Sequence, residues 1–285
     1  MSDRAQPSTV GLLCGAGGLP LQAARALRER GCRVVAVALK GEADPAVEEL
    51  ADEVHWTGLA KLGRWLRVFR RAEVDTMLML GGVRKERMYE NKLSLLPDWQ
   101  SVKLWYRKLT SKEDHTILEA VADEFENAGI PVSSIVDICP ELLVREGCLT
   151  RREPTEAQWR DIRFGWPIAK QIAALQVGQC IVVKEEAVIA VEGIDGTDAT
   201  LRRGGRLAGG GAVAVKVAKQ GHDERFDIPC IGPETVGVLE ESGVVALAVE
   251  AGRTILLNPD EVAEKADRAR LCIVATALAD GDAGA

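Results

Sequence analysis

Two mixed α/β domains are what this chain predicts, the first a three-layer domain on a mostly parallel sheet, with a cleft between the two. Three observations point there. Short apolar runs alternate with amphipathic stretches of helical length through the first half. Glycine turns stand where apolar runs give way to helices. A length of 285 residues exceeds what one core usually holds.

The first half opens with an apolar strand over 10–14, followed by a turn containing Gly15, Gly17 and Gly18. Leu19 and Pro20 start a helix, with proline placed in the first turn where its missing N–H costs nothing. That helix ends at Gly31, and RVVAVAL over 33–39 is a buried strand. A short strand is expected over 53–56 and an amphipathic helix over 59–72. TMLML over 76–80 is a fourth strand that stops at Gly81 and Gly82. Helices follow around 99–109 and 114–128, and a further strand over 130–135. Charged and turn-forming residues gather between Pro140 and Pro154, which places the domains at 1–142 and 143–285.

In the second half a long helical region spans 155–174, N-capped by Thr155 and expected to kink or split at Pro167. Residues 180–183 and 187–191 form a hairpin around Lys184, Glu185 and Glu186. Strands are expected over 212–217, 244–249, 254–257 and 271–275, with helices after Gly196, Pro233 and Pro259.

Composition excludes several classes. A net charge of −7 gives no overall polycation for nucleic acid. The seven cysteines are scattered, never in a CxxC pair, and several sit inside apolar runs. They read as reduced core residues of a cytosolic protein and not as a disulfide framework or zinc site. The opening MSDRAQPST is polar, so no secretory leader is expected, and no apolar run reaches the ~18 residues of a membrane span. Contact with a membrane would be peripheral, from the cytosol.

Four stretches carry candidate chemistry. Gly15, Gly17 and Gly18 lie between a strand and a helix N-terminus, where backbone N–H groups can approach a phosphate. Pro20 occupies the third glycine position of the dinucleotide fingerprint, and Leu39-Lys40 stands where an acid should end the second strand. A hydride-transferring cofactor is therefore disfavoured, while a nucleotide or diphosphate is not. Gly81 and Gly82 form a second such turn, with Arg84 and Lys85 beside it for phosphate oxygens. The stretch 192–203 ends the hairpin and opens a helix that Thr197 or Asp198 can cap, with Asp198 a candidate metal ligand and Arg202 and Arg203 candidate phosphate partners. The densest stretch is 219–229. Four carboxylate or imidazole groups and two cations fall within nine residues, from Lys219 to Asp227. Such a set suits a divalent cation and a phosphate held together. A basic helix face made by Lys61, Arg64, Arg67 and Arg71, flanked by Trp65, suits an anionic surface, and the stretch 99–112, with Lys103, Trp105, Tyr106, Arg107 and Lys108, is similar.

These pieces together resemble the LpxI-type UDP-2,3-diacylglucosamine pyrophosphatases of lipid A biosynthesis, from about Val10 to Ala275. Gly11, Gly15, Gly17 and Pro20 match the family's opening G-x-x-x-G-x-G-x-x-P, and Gly81, Gly82 and Lys85 match its glycine–basic turn. Glu113-Asp114 matches an acidic pair that opens a helix. Asp161-Ile162 and Gly178-Gln179 match the helix and the turn before the hairpin. Val191-Glu192, Gly196-Thr197-Asp198-Ala199 and Leu201-Arg202-Arg203 match its VEAxEGTDAMLRR, and Lys219, Arg225, Asp227 and Pro229 match its KPxQ-x-x-R-x-D-x-P. The chain departs at Gln220, His222, His115 and Thr200.

The resemblance implies hydrolysis of UDP-2,3-diacylglucosamine to UMP and 2,3-diacylglucosamine 1-phosphate, with Mg²⁺ or another divalent cation such as Mn²⁺. It implies Asp227 at the position of the family's essential aspartate, as catalytic residue and metal ligand with Asp198, and Lys219 and Arg225 as clamps on the phosphoryl oxygens. Substrate would meet Gly15, Gly17, Gly18, Gly82, Lys85, Asp114, Thr197 and Arg202. It further implies peripheral work at the cytosolic face of the inner membrane, and a homodimer. The residues leave open a nucleotide-cofactor oxidoreductase, suggested by the first turn alone, and a non-catalytic nucleotide- or lipid-binding protein.

Overall fold

The computed structural model describes residues 7–83, 98–102, 114–219, 223, 225–226 and 228–278. The chain divides into two compact units, Met1–Pro140 and Glu141–Ala285. Both are α/β.

The first unit is built on a parallel sheet of four strands: β1 (Thr9–Cys14), β2 (Arg33–Leu39), β3 (Glu53–Thr57) and β4 (Thr76–Leu80), in the order β3-β2-β1-β4. Strands β1, β2 and β4 are near-continuous apolar runs because both faces are covered, while the edge strand β3 (EVHWT) is mostly half-buried. The helices are α1 (Leu19–Glu29), α2 (Val47–Leu50), α3 (Leu62–Arg71), α4 (Asp114–Asn127) and α5 (Ile135–Ile138). The strand order reverses at β1. The chain steps from β1 through β2 to β3, then returns to place β4 on the other side of β1. In α3 the buried residues are Leu62, Trp65, Leu66 and Phe69, and Phe69 stacks on Phe125 of α4 with ring centroids 5.8 Å apart.

The starts of β1 and β4 are tied by one carboxylate. Asp75 Oδ2 accepts from Ser8 N at 2.8 Å, Ser8 Oγ at 2.9 Å and Thr9 N at 2.9 Å. The Thr9 amide, with the Ser8 hydroxyl and amide, holds the Asp75 carboxyl below its ordinary value of 3.8. Because folding lowers that value, the stabilisation is present above the unfolded value and is lost as pH falls through the folded one. Asp75→Asn is therefore expected to cost on the order of 1 kcal/mol near neutral pH, solvent screening included. The gap to wild type should close under acid. Thermal unfolding of both proteins across the acid range checks this; a gap that widens towards low pH would contradict it.

The second unit carries a six-stranded mixed sheet: β5 (Gly147–Cys148), β6 (Cys180–Lys184), β7 (Ala187–Val191), β8 (Ala212–Lys216), β10 (Val244–Glu250) and β12 (Cys272–Thr276), in the order β5-β12-β10-β8-β6-β7. Strands β8, β10 and β12 are parallel; β6 runs antiparallel to β8 and forms the hairpin with β7. A small parallel pair, β9 (Cys230–Ile231) with β11 (Ile255–Leu256), lies apart from it. The helices are α6 (Glu156–Ala174), α7 (Gly196–Ala208), α8 (Pro233–Ser242) and α9 (Pro259–Arg268). One face of the sheet packs Ile181, Val183, Val213 and Val215 against Ile162, Trp166, Ala169 and Ala173 of α6. The other packs Cys180, Val182, Ala212 and Ala214 against Leu201, Val236, Leu239 and Val262 of α7, α8 and α9. The period-two alternation along β6 and β8 thus feeds two cores.

Several expectations change. The strand foreseen over 130–135 is a single bridge from Val132 to Met77, after which Ser134 caps α5. Helix α6 runs as one helix through Pro167; its buried stripe outweighs the ~3 kcal/mol that an interior proline costs. Its Thr155 cap stands, as a reciprocal box with Gln158. Trp65 is 5% exposed, part of the core and not an aromatic flank to the basic face of α3. Of the helix expected over 99–109, residues 103–109 lie outside the described residues. No helix among the described residues is long and apolar enough to cross a membrane.

Candidate active site

In the first unit the two glycine turns meet at the carboxyl ends of β1 and β4, on either side of the point where strand order reverses. Ligands of open α/β sheets bind at such a point. The turns are laced together: Ala16 N donates to Gly82 O at 2.7 Å, Gly82 N to Ala16 O at 3.0 Å, and Gly15 N to Leu80 O at 2.8 Å. A Cβ on Gly15 would stand 2.5 Å from Gly82 O, and one on Gly81, whose φ is +84°, 2.5 Å from Ala16 O. Glycine at these two positions is thus required by the crossing of backbones. Gly17, Gly18 and Gly82 are exposed. Gly17 has φ +98° with open space around it. Gly18 caps α1 without any side-chain hydrogen bond to the helix's first turn. An anion could be held there. Arg84, Lys85 and Glu113 lie outside the described residues, as do the side chains of Asp114 and His115.

In the second unit the polar groups collect at one end of the sheet. Each parallel strand there is apolar until its last residue: Lys216 ends β8, Glu250 ends β10 and Thr276 ends β12, and all three are buried. Glu192, just past β7, joins them. Its Oε1 accepts from Thr197 Oγ1 at 3.1 Å and its Oε2 from Gln179 N at 3.2 Å. Burial pushes the Cys180 thiol up to about 12, with the charge of Lys216 opposing and those of Glu192 and Asp198 adding. Lys216 lies opposite Cys180 in the β6–β8 ladder, and Glu192 N donates to Cys180 O at 2.9 Å.

The loop after β8 leaves this edge. Val217 N donates to Gln179 O at 2.9 Å and Ala218 N to Glu250 Oε2 at 2.8 Å. Glu250 Oε1 meets Lys170 Nζ of α6 at 2.8 Å. Where the loop returns to the fold, Lys216 Nζ donates to Cys230 O at 3.1 Å and Ile255 N to Pro229 O at 2.8 Å. Within the loop Lys219 is half-buried. Arg225 Nε donates to both carboxylate oxygens of Asp223, at 2.9 and 2.8 Å, and its guanidinium lies 5.1 Å from the centre of the Phe226 ring. The Arg225 guanidinium beside Asp223 holds that carboxyl below the ordinary aspartate range. Asp223 is half-buried and orients Arg225. Gln220, His222, Glu224 and Asp227 lie outside the described residues.

The stretch 192–203 differs in detail from expectation. The N-cap of α7 is Asp195, with no side-chain cap. Thr197 spends its hydroxyl on Glu192 instead. Asp195 accepts from Gly193 N at 3.2 Å and from the Arg203 guanidinium, which also donates to Val191 O at 2.7 Å. Arg203 thus closes this turn. Arg202, expected to meet phosphate, is paired with Glu241 at 3.3 Å on an exposed face. Asp198 is exposed on the first turn of α7. Among the described residues no three His, Cys, Asp or Glu side chains converge as a metal site. Mg²⁺ needs only one or two protein carboxylates when phosphate oxygens complete its shell. Asp198, exposed on the first turn of α7, is compatible with that lighter requirement.

Sequence reading passed over Lys216, Glu250 and Lys170. The signal was present for two of them: AVAVK and VVALAVE are buried strands whose final residue alone is charged. A charge at the carboxyl end of a buried parallel strand has an energetic reason to be there.

Comparison with known proteins places the chain as follows. Residues 9–142 match the family described as LpxI N-terminal domain, and residues 145–274 the LpxI C-terminal domain. A UDP-2,3-diacylglucosamine pyrophosphatase LpxI of Caulobacter vibrioides is 28% identical over 270 residues, 90% of this chain and 94% of that protein. The bifunctional purine biosynthesis protein PurH of Anaeromyxobacter dehalogenans is 27% identical over 142 residues, 47% of this chain but only 24% of that protein. Among solved structures, the biotin carboxylase domain of Hydrogenobacter thermophilus 2-oxoglutarate carboxylase matches at 17% identity and a TM-score of 0.25, over 63% of this chain and 35% of that one.

Proposed function

The chain belongs to the LpxI family, and from that membership we propose that it hydrolyses the pyrophosphate bond of UDP-2,3-diacylglucosamine in lipid A biosynthesis. The products would be UMP and 2,3-diacylglucosamine 1-phosphate. The observation that carries this reading is the match along nearly all of the chain to an enzyme of that name. The exposed glycine turn at the α1 N-terminus and the charged carboxyl edge of the second sheet support it, because the substrate presents a diphosphate.

In the proposed reaction, water adds to one phosphorus and the bridging P–O bond breaks, with the departing phosphate taking the bond's electron pair. The nucleophile's proton passes to a base, a role that suits Asp227. Lys219 and Arg225 neutralise charge on the phosphoryl oxygens. Arg225 reaches them with its guanidinium already oriented by Asp223 and Phe226. Thr197 and Glu192 hold the first turn of α7, and with it Asp198, in place. A divalent cation, Mg²⁺ or Mn²⁺, would be held by Asp227 and Asp198, and when bound supplies a water of lowered pKa and offsets phosphoryl charge. Gly15, Gly17, Gly18, Gly82, Lys85 and Asp114 are the proposed contacts of the first unit with substrate. Work at the cytosolic face of the inner membrane, held peripherally, and a homodimer belong to the same proposal.

The test is release of UMP from UDP-2,3-diacylglucosamine by the purified protein. Release is expected with Mg²⁺, lost with EDTA and restored by excess Mg²⁺. Undiminished release in EDTA would remove the cation from the proposal. No release by wild type under any of these conditions would overturn the function.

A further inference from the structure

We propose that Glu250 is a positioning residue for the reaction, acting through the backbone of Ala218 to fix Lys219; this rests on the function proposed above. Backbone pairing of β8 with its neighbours ends at Lys216 and Val217. The next amide, Ala218 N, has no strand to pair with, and Glu250 Oε2 receives it at 2.8 Å. The other carboxylate oxygen is held by Lys170 Nζ at 2.8 Å, so a helix on one face of the sheet sets the rotamer of Glu250. Both side chains of the pair are nearly buried, 12% and 11% exposed. The result is a rigid line from α6 through the end of β10 to the residue immediately before Lys219.

The ion pair itself is not what stability calls for. A buried ion pair adds little over well-packed apolar residues of the same volume. The rest of β10 is apolar, so a leucine at its end would continue the pattern. What the carboxylate does that leucine cannot is accept the Ala218 amide at the point where the chain leaves the sheet. Lys216 does the corresponding work at the far stem, through Cys230 O. A phosphate clamp at Lys219 depends on placement, and a displacement of about 1 Å can cost on the order of 100-fold in rate.

The experiment compares wild type, Lys170→Arg, Glu250→Gln and the double variant Lys170→Met/Glu250→Leu. Readouts are UMP release at saturating and limiting substrate, the thermal midpoint, and hydrogen exchange at the Ala218 amide. The double variant is expected to lower the midpoint modestly, by the orphaned Ala218 amide, yet to lose at least about tenfold in kcat with a smaller change in KM, more than the midpoint accounts for, and to exchange Ala218 faster. Lys170→Arg, which keeps the pair, should stay near wild type. Glu250→Gln, which keeps shape and acceptor, should fall between them and carries the test if the double variant fails to fold. A double variant with wild-type kcat, or activity that merely follows the midpoint across the series, overturns the proposal. If wild type releases no UMP, the proposed function fails by itself. The role of Glu250 in the reaction falls with it, and Ala218 exchange then decides only whether Glu250 fixes the start of the loop: faster in the variants keeps that structural part, unchanged refutes it.

Discussion

Replacement of Asp227 by alanine is expected to lower UMP release by about 10³-fold, the scale on which one preorganised group at a reacting centre matters. The thermal midpoint should stay close to that of wild type, since a carboxylate committed to chemistry contributes little to packing. The argument runs through the string Lys219, Arg225, Asp227, Pro229, which falls in the loop leaving the carboxyl edge of the second sheet. Arg225 has a carboxylate partner of its own in Asp223. Asp227→Asn separates charge from shape and should be nearly as defective. Asp223→Asn should be milder, because it loosens a guanidinium that still carries its charge. Equal turnover in wild type and Asp227→Ala would sink the role assigned to this residue.

Gly205→Ala should be the most destabilising of the conservative helix substitutions, by about 3 kcal/mol or more, the upper end of what overpacking costs. Helix α7 contains two adjacent glycines, which local propensity alone would disfavour by ~1 kcal/mol each relative to alanine. Their reason is contact. A Cβ on Gly205 would stand 1.9 Å from Ser242 O of α8, and one on Gly204 would stand 2.6 Å from Val182 Cβ of β6. The obstacle at Gly205 is backbone, which cannot swing aside as a long side chain can. Gly237 in α8 is the internal control: nothing lies within 4 Å of its Cβ position. Gly237→Ala should therefore stabilise by about 0.5–1 kcal/mol. Urea unfolding of the two variants gives opposite signs if packing decides, and the same sign if propensity does.

How far the fold could be read in advance depended on how local its cause was. Strands such as RVVAVAL and TMLML are apolar after their first residue because both faces are covered, and they were recognisable from that alone. The helices opening at Leu19-Pro20, Gly196, Pro233 and Pro259 are announced by residues within one turn. Trp65 was misplaced although its spacing with Leu62, Leu66 and Phe69 is itself the buried stripe; its aromatic ring next to basic residues suggested a different use. The run over 130–135 looked like a strand because its residues are apolar and branched, but only Val132 finds a partner edge.

The candidate site divides in the same way. Which residue types stand at strand ends was legible along the chain: glycines after β1 and β4, and single charges closing AVAVK and VVALAVE. These are properties of neighbours in the chain, governed by backbone conformation and by the energetic cost of burying a charge. Only the tertiary structure decided their use. Gly15 and Gly81 serve the crossing of two turns, Thr197 serves Glu192 and not the cap of α7, Arg203 closes a turn while Arg202 faces Glu241, and Glu250 reaches an amide 32 residues away. A hydrogen-bond partner is set by which strand ends lie side by side, and strand order is a property of the whole sheet that no local stretch of residues encodes.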